Sequence, residues 1–267
     1  MVQDDIQQRL DEGCAIAERL GQELAIAESS WAHFEAINGE TNETRRQFLE
    51  ATNWLLVSYK GLLSAVVRDT LMALCRCVDD STSLSLSKVA KLLKDESLRT
   101  ALIEHARAKA PRFHENDNFY ANYEADQCSA KIELIRRCVP IQWNRAPAIA
   151  TLYSWRKAVE PLRHKILAHS GDREGIAQPE VNQIRAGHSL ISELVRASQR
   201  IFCGSALNDT LRQHIRSANI FWDHAEVGFI EAAERDMHGT TDGQTLGFGA
   251  RPQGAQESRK ECNHRLE

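Results

Sequence analysis

Arg163 and His169 are the residues of this chain whose types and spacing best fit a shared chemistry. They stand in the run Leu162-Arg163-His164-Lys165-Ile166-Leu167-Ala168-His169-Ser170. A guanidinium is a planar fork that matches phosphate oxygens, and an imidazole exchanges a proton near neutral pH. Together they suffice in principle for metal-free RNA cleavage. His169 would remove the proton of a ribose 2′-hydroxyl, and Arg163 would stabilise charge on the phosphorus oxygens. The product would be a 2′,3′-cyclic phosphate. Six positions correspond to about 120° around an ideal helix. The two groups therefore meet only if a long Arg side chain and a His in the last helical turn reach toward one anion.

Spacing alone does not single the pair out, because Arg99/His105, Arg107/His114 and Arg259/His264 are similarly spaced. Context does. Arg107/His114 straddles Pro111, Arg259/His264 lies in a polar tail, and Arg99/His105 falls on a short helix that reads as exposed. From Arg136 to Lys165 seven basic residues face only Glu160, which suits an anionic ligand. A structural reading stands beside the functional one. The basic run can be a solvated helix face, His169 can cap its helix, and Arg163 can pair with Glu160 or Glu133.

Other chemistry is poorly represented. The chain has no Gly-rich phosphate loop, no HExxH, no G-x-S-x-G and no kinase motif set. Cys75-x-Cys77 has no second Cys/His pair at a zinc-like spacing, so no metal and no cofactor is expected. The seven cysteines are odd in number and sit mostly on apolar faces, where they read as small buried hydrophobes rather than a disulfide framework. Asp79-Asp80 reads as a helix-end turn. Five Trp on separate segments point to packing rather than a platform for bases. Ser170 and His169 form no recognisable nucleophile–base pattern.

The elements that must carry these residues are helical. Only 14 Gly and 6 Pro punctuate 267 residues, and no stretch alternates at period two long enough for a sheet. Apolar periodicity predicts helices over Gln3–Ala36, Thr44–Val78, Lys88–Leu93, Glu96–Lys109, Phe119–Cys138, Ala148–His169, Pro179–Phe202 and Asn208–His238. Asp95 is placed to cap the fourth, Pro161 to kink or restart the sixth, and Gly171 to end it. From Gly239 the composition turns polar, and a disordered tail is expected. The expected division is an N-terminal helical extension over 1–42, a helical bundle over 43–238 and the tail over 239–267. Lys plus Arg total 33 against 37 Asp plus Glu, so nucleic-acid binding would have to rest on a local patch. No apolar run approaches membrane-spanning length, and the polar N-terminus does not read as a signal peptide. A cytoplasmic protein is expected.

Arg163-His164-x-x-x-x-His169 resembles the Arg-polar-x(3–4)-His signature of HEPN domains. The run LRHKILAHSGD (Leu162 to Asp172) is similar to the matching helix end in the abortive-infection branch of AbiU2 type. So is AVVRDTLMALCRCVDDSTSLSLSKVAKLL (Ala65 to Leu93) to an earlier part of it. The resemblance covers roughly 43–202. It implies an all-α, HEPN-like up-and-down four-helix bundle with additional helices, commonly a homodimer with Arg and His of both protomers facing one cleft. It also implies a metal-independent ribonuclease of a toxin–antitoxin or phage-defence system, with RNA and an antitoxin or defence protein as partners. Carried over by position, Arg163 and His169 are the catalytic pair and His164 fills the polar position. Arg68 or Asp69 supplies the supporting polar residue of the preceding long helix. Pro161 and the C-terminal extension depart from the family pattern. Because some members are inert, a non-catalytic helical dimer binding RNA, a nucleotide or a protein is the alternative.

Overall fold

The computed structural model of the chain describes residues 2–38, 53–79, 82, 84–110, 118–141, 150–162, 180–204 and 212–225. The first of these segments shows how the sequence dictates the fold. Ile16, Leu20, Leu24, Ala27 and Trp31 recur every three or four positions, and all five are buried. They form one stripe of α1 (Val2–Asn38), a 37-residue helix. At 1.5 Å per residue it runs about 55 Å, long enough to lie along several neighbours.

α2 (Asn53–Val78) packs on α1 and buries Leu71, Leu74, Cys75 and Val78. A short helix, α3 (Leu86–Leu92), follows, and α4 (Glu96–Lys109) starts where the sequence places it. Asp95 caps α4, its carboxylate accepting from the backbone N–H of Ser97 at 2.8 Å and of Leu98 at 3.2 Å. Those two amides, Leu98 first, and the Arg9 guanidinium hold the Asp95 carboxyl below the ordinary carboxylate range. α5 (Phe119–Cys138) buries Ala121, Ala125, Cys128, Ile132, Ile135 and Cys138 against α4 and α7. α6 (Ala150–Leu162) contains Pro161 and buries Leu152, Trp155 and Val159. α7 (Val181–Cys203) touches α1, α5 and α6, and its buried positions accordingly spread over a broad face. Gly204 ends α7 in the left-handed conformation, φ 72°, which favours a residue without a Cβ. A last helix, α8, spans residues 212–225.

The protein is therefore an all-α helical bundle; among the described residues there are eight helices and no strand. Residues Met1–Trp222 form one compact unit and Asp223–Glu267 a second, of which 223–225 are described. Within the first unit α1 supplies core residues together with α2 and α7. Gly171, the expected cap, and the tail from Gly239 lie outside the described residues. No described helix is long and apolar enough to cross a membrane.

Three carboxylates of α1 fix how the bundle closes. Glu23, itself buried, takes Arg76 of α2 at 2.7 Å and Arg19 at 3.1 Å. Glu28, 1% exposed, takes Arg196 of α7 at 2.5 Å. Glu35 takes Arg185 of α7 at 2.9 Å. Apolar faces are interchangeable between neighbours, whereas a buried carboxylate that misses its guanidinium is left uncompensated. The buried Glu23 and Glu28 pairs thus penalise other registers of α1 against α2 and α7.

Candidate functional site

The last described turn of α6 leads directly, in sequence, into Arg163. Trp155 anchors this helix. Its indole approaches α7 at Gly187 so closely that a Cβ there would meet the ring at 2.0 to 2.4 Å. The next residue, Arg156, approaches Glu160, one turn further on, to 3.9 Å, and Glu160 and Pro161 are exposed. Glu160 is thus near another arginine. Glu133, the other acidic partner considered for Arg163, pairs with Arg136.

Arg163, His164 and His169 lie outside the described residues. The two supporting residues are described. Arg68 and Asp69 are neighbours on the exposed side of α2, and the Arg68 Nε donates to the Asp69 carboxylate at 3.3 Å. Of the basic run, Arg137 and Lys157 are exposed and Arg136 is engaged with Glu133. Just past the end of α2 the Asp79 carbonyl accepts from the Thr82 hydroxyl at 3.0 Å, and Asp80 lies outside the described residues.

Below this surface α7 carries a polar line that periodicity alone did not flag. His188, Ser192 and Arg196 recur at four-residue steps, and Gln199 follows. His188 is 3% exposed and stacks on Trp31, ring centroids 5.7 Å apart, while Trp31 stacks on Phe34 at 4.8 Å. Burial, and secondarily the Arg196 charge, pushes the imidazole down to about 4. It is neutral near pH 7 and sealed from solvent, so no substrate reaches it. Its Nε2, like the Ser192 hydroxyl, meets no hydrogen-bond partner among the described residues. The sequence signal was present in an i, i+4, i+8 polar series inside an otherwise apolar face. Without the fold, such a series reads as an exposed stripe.

Arg196 connects this interior to a groove of about 600 Å³ between α5 and α7. Across it Arg200 bridges both oxygens of Glu124 at 2.9 and 3.1 Å, and Lys131 donates to Gln127 at 3.1 Å. Tyr123 forms part of the wall and stays half exposed, and Phe119 and Tyr120 stand exposed one turn earlier on α5. Cations next to aromatic faces suit a single-stranded nucleic acid in type, although Glu124 and Glu193 offset much of the charge.

A third group is set apart from these. Cys14, Glu18 and Cys203 bring three potential ligand atoms within 4.8 Å of one another. Cys75 and Cys77, the pair that the sequence offered as a half-site, are both buried. Burial drives the Cys77 thiol well above its ordinary range, as expected of a small core hydrophobe.

Comparison with protein-family models, with curated proteins and with solved structures gives no match to this chain.

Proposed function

We propose that this protein is a metal-independent endoribonuclease of HEPN type, acting as a toxin or phage-defence effector. The observation that carries the reading is the Arg163-His164-x-x-x-x-His169 run, which follows α6 directly within a stretch of seven basic residues and one acidic residue. An all-α bundle with α6 anchored by Trp155 is a frame on which such a helix end can be held. Arg163 grips a phosphodiester, and His169 takes the proton of the adjacent 2′-hydroxyl. The 2′-oxygen then bonds to phosphorus as the bond to the 5′-oxygen breaks. The 5′-oxygen leaves with a proton from solvent. His164 supplies a further polar contact, Arg68 or Asp69 a supporting one, and two copies of the chain face one cleft.

The test is cleavage of RNA by the purified full chain in EDTA. Cyclic-phosphate ends are expected, with rates falling about 10²–10⁴-fold in His169→Ala and severely in Arg163→Ala. Cleavage that needs added metal, or that survives His169→Ala, overturns the proposal. A second reading rests on the α5/α7 groove with Tyr123, Lys131 and Arg200: a non-catalytic helical dimer that binds RNA, a nucleotide or a partner protein. Salt-sensitive RNA binding without cleavage, weakened by Arg200→Ala and Lys131→Ala, selects it.

A further inference from the structure

Cys14 lies in the N-terminal half of α1, and Cys203 is the final residue of α7. They are 189 positions apart in sequence, yet their sulfur atoms stand 3.1 Å from each other. Non-bonded heavy atoms ordinarily rest about 3.5–4.0 Å apart. Two thiolates on one zinc ion, at about 2.3 Å each in tetrahedral geometry, would stand about 3.8 Å apart. The observed separation is shorter than either, and a disulfide at about 2.05 Å needs roughly a further ångström of approach. The separation lies between that of a disulfide and that of two thiolates sharing an ion, and the two sulfurs are within reach of a direct bond after a small approach.

The close approach is built by the residues beside it. Gly13 precedes Cys14, and Phe202 precedes Cys203. A Cβ at Gly13 would meet the Phe202 ring at 2.1 and 2.2 Å, so only a glycine lets α1 and α7 come together here. Gly204, in its left-handed conformation, frees the chain just past Cys203 from helical continuity. Both sulfur-bearing residues are partly exposed, whereas Cys75, Cys77, Cys128 and Cys138 are buried. A small oxidant therefore has access to this pair that the core thiols deny.

We infer that Cys14 and Cys203 form a reversible disulfide that clasps the N-terminal helix to the end of α7 under oxidising conditions. The co-reactant is a low-molecular-weight disulfide such as glutathione disulfide. The Cys14 thiolate attacks it, and one sulfur–sulfur bond forms as one breaks, releasing the first small thiol. Cys203 then attacks the Cys14 sulfur, and its proton goes to the second departing thiolate. The protein loses two electrons and two protons, and the small disulfide becomes two thiols. Burial, followed by the hydrogen bond with Cys14, pushes the Cys203 thiol up to about 12. The clasp does not depend on the proposed nuclease activity.

The test treats the full reduced chain with glutathione disulfide, traps free thiols by alkylation and maps tryptic peptides. Peptides 10–19 and 201–212 are expected to be joined. The product should be lighter by two hydrogens and unfold several degrees higher, and dithiothreitol should reverse both changes. Cys14→Ser and Cys203→Ser should each abolish the joined peptide. Gly13→Ala leaves both thiols in place but separates the helices, so it should slow the cross-link severalfold. A persistent glutathione adduct on Cys14 with no joined peptide overturns the inference. So does a cross-link unaffected by Gly13→Ala. Zinc that shields both thiols of the reduced protein stoichiometrically would assign the pair to metal binding instead.

Discussion

Gly187→Ala probes the contact on which the position of α6 depends. In an exposed helix interior this substitution would stabilise, because alanine loses less backbone freedom on folding, by about 1 kcal/mol. At Gly187 the added Cβ would stand 2.0 Å from Cδ1 and 2.2 Å from Nε1 of Trp155, a ring that is 2% exposed. Ordinary contact needs about 3.5 Å or more, so the indole must retreat by roughly 1.5 Å. A buried bicyclic ring has no empty space to retreat into, and overpacking of this kind costs about 1–3 kcal/mol, occasionally more. With the Cβ only 2.0 Å from the ring, the clash belongs at the top of that range, and after the propensity gain of about 1 kcal/mol a net loss of about 2 kcal/mol is expected. For a chain of this size that lowers Tm by about 4–8 °C. Gly61→Ala is the matched control. It lies in α2 with no atom within 4 Å of its added Cβ, and it should gain about 0.5–1 kcal/mol. The assay is urea denaturation of both variants, with Gly187→Ala repeated in a Trp155→Leu background, where the loss should shrink. If Gly187→Ala matches or exceeds the wild type in stability, the close seating of α6 on α7 is wrong. The same displacement moves the helix that precedes Arg163 in sequence, so the proposed RNA cleavage should fall in this variant more than in Gly61→Ala.

Acid should weaken the fold through His188. Its folded value, about 4, lies below the unfolded 6.5, so the unfolded chain binds the extra proton between those limits. Stability from this group is intact above pH 6.5 and falls by about 3 kcal/mol as pH drops to 4. Urea midpoints measured across that range should flatten in His188→Phe; an unchanged slope contradicts the assignment. Glu28→Ala removes a carboxylate that is 1% exposed from the Arg196 guanidinium and should cost about 2–4 kcal/mol by denaturant melt. Because Arg196 is itself partly solvated, Glu28→Gln should lose less than that. Gly204→Ala forces a Cβ into the left-handed region at the end of α7 and should cost about 1 kcal/mol, with the same loss expected for Gly204→Ser.

The candidate site was legible only as chemistry. Arg163, His164 and His169 have the types expected of a phosphate fork beside a proton acceptor, but periodicity cannot say what faces them. Arg68 and Asp69 came from position in a long helix, and the structure puts both on the exposed side of α2, paired with each other. His188 was overlooked because a histidine in an i, i+4 series with Ser192 and Arg196 looks solvated until Trp31 and Glu28 are brought from α1.

Helix identity is a local matter, and the chain carries it in the open. Asp95 caps α4, the four-residue steps of α1 run from Ile16 to Trp31, and α5 begins and ends where its apolar period does, because these signals act within one or two turns. Which faces meet is another matter, since any apolar stripe can cover any other. That choice was made by contacts between residues far apart in the chain. Glu28 meets Arg196, Trp155 presses on Gly187, and Gly13 lets Phe202 close enough for Cys14 to touch Cys203. Each depends on a buried charge or a missing Cβ whose partner is more than thirty residues away, and such complementarity becomes visible only when the helices are packed.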